Sequence, residues 1–243
     1  MKKILYLIYQ PYKWLFFFPF IILNTIIFAL LAVIFSLLIN QKTGSYIGGA
    51  LWSKINTIFT PMLISVKGKQ HINKDTSYII IANHQSFWDI FAIYGWLGLD
   101  IKWVMKKELR KIPGIGFGSE KVGHIFIDRS NRKKAIESIN EAKTKLVNGT
   151  SVVIFPEGTR SRTGEMGKFK KGAFKLAIDL DLPILPITII GTQNIFPSGT
   201  LNLMPGKVKM NIHSPIDTTA YSDNNILELM SVAKVKIQSG FNS

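Results

Sequence analysis

A long uncharged stretch near the start of the chain constrains the fold most. Residues 14–41, the 28 residues between Lys13 and Lys42, carry no charged side chain and are predominantly apolar. About 20 such residues suffice for a helix to cross the hydrocarbon core of a bilayer. A cleavable signal peptide fits less well, because its apolar part is usually about 7 to 15 residues long and a small-residue cleavage site should follow. We therefore predict a membrane-embedded helical segment over residues 1–64.

The charge around this stretch favours an anionic partner. The formal net charge is +15, and residues 1–74 contain eight lysines and no acidic residue. Nucleic acid and the face of a bilayer both offer dense phosphate charge to such a region. Because the lysines flank an apolar span and no nucleic-acid recognition motif is present, we predict membrane lipids as partners and no nucleic acid.

The topology of the segment stays open between two alternatives. Lysines lie on both sides of it, so the one-sided excess of positive charge that usually sets orientation is missing. The segment either spans the bilayer directly or forms a re-entrant hairpin. In the hairpin both basic flanks lie at the cytoplasmic surface, and residues 45–63 form the returning or interfacial arm.

Beyond about residue 65, short apolar runs rich in β-branched residues alternate with longer amphipathic ones. This order is typical of α/β proteins. The predicted strands are 78–82, 101–105, 124–127, 151–155, 184–190 and 207–213. The predicted helices are 87–97, 131–147, 171–180 and 225–238. We predict an α/β domain over residues 65–243 with a mixed, largely parallel central sheet flanked by helices. Several strands lack in/out alternation, which indicates that both faces of the sheet are covered.

Composition excludes several kinds of chemistry. The chain has no cysteine, so thiol nucleophiles, disulfides and cysteine-ligated zinc are ruled out. The four histidines are scattered and show no metal-ligand spacing. We predict no metal.

Polar residues follow three of the predicted strands. They are Asn83-His84, Asp128-Arg129 and the run from Pro156 to Arg160. Open α/β sheets bind ligands outside the carboxyl ends of their strands. The three segments are therefore expected to converge on one site.

His84 and Asp89 are the candidate catalytic pair. In one regular helix, residues five apart lie roughly 140° around the axis, too far to touch. His84 should therefore precede the helix, with Ser86 as N-cap and Asp89 at the third helical position, as in the [ST]-x-x-[DE] start signal. A carboxylate on one imidazole nitrogen would leave the other free to accept a proton from a hydroxyl. The alternative is that Asp89 only caps the helix and His84 is an incidental loop residue.

The stretch from Phe155 to Phe174 is the second candidate site segment. Gly158 permits a tight turn beside Thr159, and Arg160 and Arg162 follow, so backbone amides and guanidinium groups are suited to hold a phosphate. A solvated basic loop is the alternative. The five arginines among the 30 basic residues all lie between residues 110 and 162, namely at 110, 129, 132, 160 and 162. Glu157 either binds an acceptor hydroxyl or an arginine, or receives turn amides as a structural carboxylate.

Together these segments resemble the glycerolipid acyltransferase family, most closely its bacterial lysophosphatidate acyltransferases. Four blocks occur in the family's order: NHQSFWD at 83–89, GHIFIDR at 123–129, FPEGTRS at 155–161 and LPILPI at 182–187. The likeness extends from about residue 77 to residue 190. The apolar N-terminal segment agrees with it.

The resemblance implies transfer of a fatty acyl group from acyl-CoA or acyl carrier protein to the sn-2 hydroxyl of lysophosphatidic acid, without a further cofactor. Carried over block by block, His84 would be the general base and Asp89 its orienter. The residues implied to bind the acceptor and its phosphate are Arg129, Glu157, Gly158, Thr159 and Arg160. The catalytic domain is expected on the cytoplasmic face of the cell membrane, where thioester donors are found. The alternatives are another acceptor, such as glycerol 3-phosphate, or a non-catalytic protein that binds anionic lipids.

Overall fold

A seven-stranded sheet organises the described part of the chain. The structure is a computed structural model and describes residues 2–112, 115–127, 146 and 149–242. The strands are β1 (Met62–Lys67), β2 (Ile79–Ala82), β3 (Asp100–Lys106), β4 (Ile125–Ile127), β5 (Thr150–Ile154), β6 (Ile184–Ile190) and β7 (Gly206–Ile212). Their order across the sheet is β1-β7-β6-β2-β5-β3-β4.

The sheet is mixed and largely parallel, as predicted. Within the described residues, β6 and β7 pair antiparallel, and the other neighbouring strands pair parallel. All six predicted strands are present, with ends within one residue of the prediction. β1 was not predicted. It begins at Met62, so residues 62–64, predicted as the end of the membrane segment, belong to the sheet.

The helices cover both faces of the sheet. They are α1 (Lys2–Tyr12), α2 (Phe18–Leu38), α3 (Gln41–Ser45), α4 (Trp52–Phe59), α5 (Trp88–Trp96), α6 (Ile115–Lys121), α7 (Gly172–Leu180), α8 (Thr192–Ile195) and α9 (Ile226–Ser239). Wider π-helical turns join α1 to α2 (Lys13–Phe17) and α3 to α4 (Tyr46–Leu51), and short 3-10 turns occur at Lys69–His71, Lys107–Lys111 and Gly240–Asn242. The predicted helices at 87–97, 171–180 and 225–238 are confirmed, and the one at 131–147 lies outside the described residues except for Leu146.

The central strand β2 shows why its sequence is an unbroken apolar run. Ile80 and Ala82 pack into a core on the α5 side, whereas Ile79 and Ile81 pack into a second core with α7 and α9. All four side chains are fully buried. With both faces covered, no position along β2 faces water, which explains the missing alternation.

The N-terminal helices include a stretch, Tyr6–Leu38, that is long and apolar enough to cross a membrane by length and composition. Pro19 lies in the first turn of α2, directly after the π-helical turn, and the chain stays helical on both sides of it. After α2 the chain reverses at Ile39 and Asn40, and α3 and α4 return along α2. We call residues 18–59 the helical hairpin.

Small residues allow the two arms of the helical hairpin to approach closely. A Cβ atom at Gly44 would lie 2.5 Å from the carbonyl oxygen of Ala32, and one at Gly48 would lie 2.5 Å from the Ala32 Cβ. Deeper in the hairpin, the Asn24 amide donates to the Asn56 side chain at 3.1 Å. Such small-residue contacts and cross-helix hydrogen bonds are typical of helix pairs in membranes.

The helical hairpin lies along α5 rather than extending away from the sheet. The Trp52 ring contacts Phe91 with centroids 4.9 Å apart, and a Cβ atom at Gly49 would lie 2.1 Å from the Tyr94 ring. Near the sheet, a buried polar chain continues from Tyr94. The Tyr94 hydroxyl lies 3.3 Å from Nε2 of His124 and 3.5 Å from the Ser45 hydroxyl. The hairpin and the sheet therefore share one packed interface.

Candidate active site

The site forms at the carboxyl end of β2, where the chain is fastened to the neighbouring strand β6. The Asn83 side chain donates to the Ile189 carbonyl at 2.8 Å and accepts from the Ile189 N–H at 2.7 Å. This pair continues the β2–β6 ladder through a side chain. It fixes where the following residue, His84, leaves the sheet.

Asp89 is the buried centre of the turn. Its Oδ2 accepts the backbone N–H groups of Gln85 and Ser86 at 2.7 and 2.9 Å, together with Nδ1 of His84 at 2.8 Å. Its Oδ1 accepts the hydroxyl of Thr192. The side chain is fully buried. Asp89 thus satisfies the start of the helix and holds the imidazole at the same time, so the two predicted roles of this residue are combined.

His84 has the geometry of a general base. An ionised carboxylate only accepts hydrogen bonds, so the contact with Asp89 places the proton on Nδ1 and leaves Nε2 as the acceptor. The His84 ring stacks on Phe155 with centroids 3.8 Å apart and planes 7° from parallel. Its side chain is 15% exposed. The imidazole is therefore held by its ring face and by one nitrogen while staying within reach of solvent.

The helix begins one residue later than predicted. Phe87, not Ser86, occupies the N-cap position of α5, and Asp89 is the second helical residue. The Ser86 hydroxyl accepts the N–H of Trp88 at 3.1 Å and donates to the carbonyl of Phe196 at 2.6 Å. The second contact draws Ser86 toward a loop remote in sequence, which local propensity does not reveal. His84 lies outside the helix, as predicted.

Glu157 joins the two candidate segments through backbone amides. Its Oε1 accepts the N–H of His84 at 2.8 Å, and its Oε2 accepts the N–H of Gly167 at 2.7 Å. The side chain is buried. Both oxygens are therefore engaged by the protein, which favours the structural alternative for Glu157 over a direct contact with substrate.

The turn after Glu157 lies beside His84. Gly158 adopts a left-handed conformation with φ of 75°, which strongly favours glycine. The N–H of Ser161 then donates to the His84 carbonyl at 2.8 Å. Thr159 and Arg160 are exposed between these two points. The turn borders a cleft of about 280 Å³, whose lining includes Thr159, Ser161, Thr163 and Lys168.

Some of the arginines face solvent, and another is paired with a carboxylate. Within the described part of the chain, Arg160 and Arg162 have no carboxylate within 4.0 Å and face solvent, so they are available to an anion. Arg110 instead pairs with Glu120 at the surface. Arg129 and Arg132 lie outside the described residues.

Two residues near the catalytic pair were not predicted. Phe155 stacks on the imidazole, and Thr192 donates to Asp89. Phe155 begins the FPEGTRS block, so its position was a usable signal. Thr192 carries no such signal, because its segment reads as an apolar strand followed by a turn.

The fold and the site define a class of protein: an α/β domain in which a histidine–aspartate pair at the carboxyl end of a central strand adjoins a basic, anion-accessible turn. The family model described as Acyltransferase matches residues 63–190. The chain belongs to the acyltransferase family.

Similar proteins carry consistent names. Over 168 residues the chain is 35% identical to the chloroplastic 1-acyl-sn-glycerol-3-phosphate acyltransferase LPAT1 of Arabidopsis thaliana, covering 68% of this chain and 47% of that protein. It is 30% identical over 164 residues to the human 1-acyl-sn-glycerol-3-phosphate acyltransferase alpha, covering 67% of this chain and 58% of that protein. The match thus spans about half the length of these curated relatives.

A solved structure resembles nearly the whole chain. The crystal structure of the 1-acyl-sn-glycerophosphate (LPA) acyltransferase PlsC from Thermotoga maritima superposes with a TM-score of 0.81 at 30% identity. The match covers 99% of this chain and 96% of that one. The likeness therefore includes the N-terminal helices as well as the α/β domain.

Proposed function

We propose that the protein transfers a fatty acyl group from an acyl thioester to the sn-2 hydroxyl of lysophosphatidic acid, yielding phosphatidic acid. The observation that carries this proposal is the contact between His84 Nδ1 and the buried Asp89 carboxylate, which leaves Nε2 free as a proton acceptor. The names of the relatives support the choice of acceptor.

The reaction proceeds by direct attack. Nε2 of His84 takes the proton of the acceptor hydroxyl as its oxygen attacks the thioester carbonyl carbon. The carbon–sulfur bond then breaks, the ester remains on the glycerol, and the leaving thiolate receives the proton from the imidazolium. No acyl-enzyme intermediate is needed, and the chain contains no cysteine to form one. Ser86 is a poor nucleophile here, because its hydroxyl already donates to Phe196 and accepts from Trp88.

The turn around Arg160 supplies the site for the acceptor phosphate. Glu157 fixes the turn against His84, and Gly158 directs the exposed Thr159 and Arg160 outward. A guanidinium group offers paired donors to a phosphate oxygen pair. The sequence resemblance implies Arg129 as a second phosphate ligand, and we include it in the proposal.

The helical hairpin attaches the enzyme to the membrane in which its acceptor resides. Side chains on one side of α2 are exposed and apolar, including Ile22, Leu23, Ile26, Leu30 and Leu37. Because the hairpin lies along α5, a direct span would draw the α/β domain into the bilayer. A re-entrant or interfacial attachment avoids this and keeps the domain in the cytoplasm, where thioester donors occur.

The test is an acceptor and donor panel on purified full-length protein in detergent. Lysophosphatidic acid and glycerol 3-phosphate are each offered with acyl-CoA and with acyl carrier protein, and both thiol release and lipid product are measured. We expect phosphatidic acid only with lysophosphatidic acid, and thiol release only when acceptor is present. Product from glycerol 3-phosphate alone would replace the proposed acceptor. Lipid binding without thiol release from either donor would support the non-catalytic alternative.

A further inference from the structure

Asp89 is held by both of its oxygens, and the two are held from different parts of the fold. Oδ2 receives its three donors from the turn itself, at residues 84–86. Oδ1 receives the hydroxyl of Thr192, 103 residues away in the chain. Thr192 and Asp89 are both fully buried. Among the described residues, Thr192 therefore holds the second oxygen of this carboxylate, and it does so from the segment that follows β6.

The chain after β6 is shaped to deliver this hydroxyl. β6 lies parallel to β2, and Asn83 fastens their ends together through Ile189. Gly191 then turns the chain with φ of 97°, and a Cβ atom there would lie 2.2 Å from the carbonyl oxygen of Lys207. Only glycine fits that turn without displacing β7. Thr192 follows at once and points back to Asp89.

The second contact matters because of how a carboxylate moves. A carboxylate held through one oxygen can still tilt by small coupled rotations about its Cα–Cβ and Cβ–Cγ bonds that leave that oxygen in place, and its plane then changes relative to the imidazole N–H. A donor on the other oxygen removes this freedom. The direction of the Nδ1–H bond sets the ring plane of His84, and with it the direction of the Nε2 lone pair toward the acceptor hydroxyl.

We propose that Thr192 is a positioning residue for the acyl transfer, fixing the Asp89 carboxylate so that His84 presents Nε2 in the reactive orientation. This inference rests on the proposed function, since it assigns the residue a part in that same reaction. The competing explanation is that Thr192 only satisfies a buried oxygen and contributes to stability alone.

The two explanations separate through paired substitutions at Thr192. Thr192→Val keeps the shape and removes the hydroxyl, whereas Thr192→Ser keeps the hydroxyl. We expect Thr192→Val to lower kcat about 10- to 100-fold with the KM of both substrates within about twofold, because misalignment of a catalytic group acts on the chemical step. Thr192→Ser should remain within about threefold of the unchanged enzyme.

A matched control comes from β6, the strand that precedes Thr192. Thr188 on β6 is also fully buried, and its hydroxyl donates to the Ile237 carbonyl at 2.6 Å on the face remote from His84. Thr188→Val removes a buried hydroxyl of the same kind. It should lower the melting temperature and leave kcat within about twofold.

A double-mutant cycle with His84→Ala gives the decisive readout. If Thr192 acts through the imidazole, Thr192→Val should add no further loss to the residual activity of His84→Ala. An equal loss in both backgrounds, or a kcat for Thr192→Val as high as that of Thr188→Val, would overturn the proposal. If His84→Ala is inactive while Thr192→Val is fully active, only the positioning role fails. If the unchanged protein transfers no acyl group, the proposed function itself fails.

Discussion

The site around His84, at the carboxyl end of the central strand β2, and the helical hairpin are held together mainly by different kinds of contact. In the site around His84, the carboxylates of Asp89 and Glu157 accept hydrogen bonds through all four of their oxygens. In the hairpin, the buried hydroxyls of Ser36 and Ser53 have no hydrogen-bond partner among the described residues. The site around His84 is specified mainly by directional bonds, whereas the hairpin combines the close approach of small side chains with a cross-helix bond between Asn24 and Asn56.

The difference matches the roles proposed for the two regions. A general base requires a fixed direction for one lone pair, and directional hydrogen bonds provide that. A hairpin that meets lipid gains little from burying apolar surface, so the close packing of Gly44 and Gly48 on Ala32 supplies its specificity. Substitutions in the site around His84 should therefore mainly lower kcat, and substitutions in the hairpin should mainly lower the free energy of unfolding.

The largest effect on turnover is expected at His84. His84→Ala removes the proton acceptor and should lower kcat at least ~10²-fold, the lower range for general acid–base catalysis. The melting temperature should change little, because the bonds from Gln85 and Ser86 to Asp89 remain. Thiol release with lysophosphatidic acid measures the rate, and His71→Ala serves as the control for loss of a histidine. Near-normal turnover would exclude the base role.

The hairpin counterpart is Gly44→Val. Its Cβ would meet the Ala32 carbonyl oxygen at 2.5 Å, a backbone contact that cannot move aside. Overpacking of this kind destabilises by about 1–3 kcal/mol, so the melting temperature should fall. Turnover per folded molecule should persist. Gly118→Ala is the control, since its Cβ would lie 4.0 Å from Val33, an ordinary contact. A selective loss of kcat in Gly44→Val would contradict the division between the two regions.

Glu157→Gln tests whether this residue holds the backbone or the substrate. An amide can accept through only one end, so the N–H of His84 or of Gly167 loses its partner, at about 1–3 kcal/mol. We expect lower kcat and lower stability with an unchanged KM for lysophosphatidic acid. Glu165→Gln, on the wall of the same cleft, is the control. A raised KM with normal stability would restore the role of a substrate ligand.

The buried chain between the sheet and the hairpin predicts a pH dependence of stability. Burial, with a smaller contribution from the nearby Lys102, lowers the pKa of His124 to about 3 from its ordinary 6.5. Between these values the unfolded chain binds the extra proton, so stability falls as the pH drops below 6.5. The loss should be about 2 kcal/mol from pH 7 to pH 5.

Thermal unfolding in detergent at these two pH values measures this effect. His124→Gln should make the dependence shallower by about the amount attributed to His124. An equally steep profile in His124→Gln would show that other groups produce it, among them His213, whose pKa is also lowered by burial and by nearby Lys236 and His71.

The smallest effect is expected at the phosphate turn. Arg160→Lys keeps the charge and removes the planar fork, so the KM for lysophosphatidic acid should rise about fivefold while kcat changes little. The control is Arg110→Lys, because Arg110 already pairs with Glu120 at the surface. An unchanged KM in Arg160→Lys would remove this residue from the proposed phosphate site.

Much of the fold was predictable, because most of the predicted strands are short apolar runs and the one at 207–213 alternates polar and apolar residues. β1 was missed because it is an edge strand with alternating exposure that follows the apolar hairpin without a charged break. α6 was missed because its sequence, IGFGSEK, contains two glycines, and glycine has a low helix propensity. It packs against Val33 of α2, a contact that sequence spacing does not reveal.

The site was predictable to a lesser extent. The spacing of His84 and Asp89 and the turn signal before α5 indicated their contact, which the structure contains. For Glu157 the sequence left two alternatives, and its partners at His84 and Gly167 favour one of them. The residue types in the FPEGTRS block indicated an anion site, but not that the turn is fastened to the His84 backbone.

By itself, the sequence determined the succession of strands and helices, the apolar N-terminal segment and the types of residue that follow the strands at the site. These features depend on neighbours within a few residues. Only the tertiary structure decided which donors hold each carboxylate and that the hairpin lies along α5. The contacts of Glu157 with His84 and of Thr192 with Asp89 join residues 73 and 103 positions apart. Hydrogen bonds at such separations depend on strand order in the sheet, which local pattern does not encode.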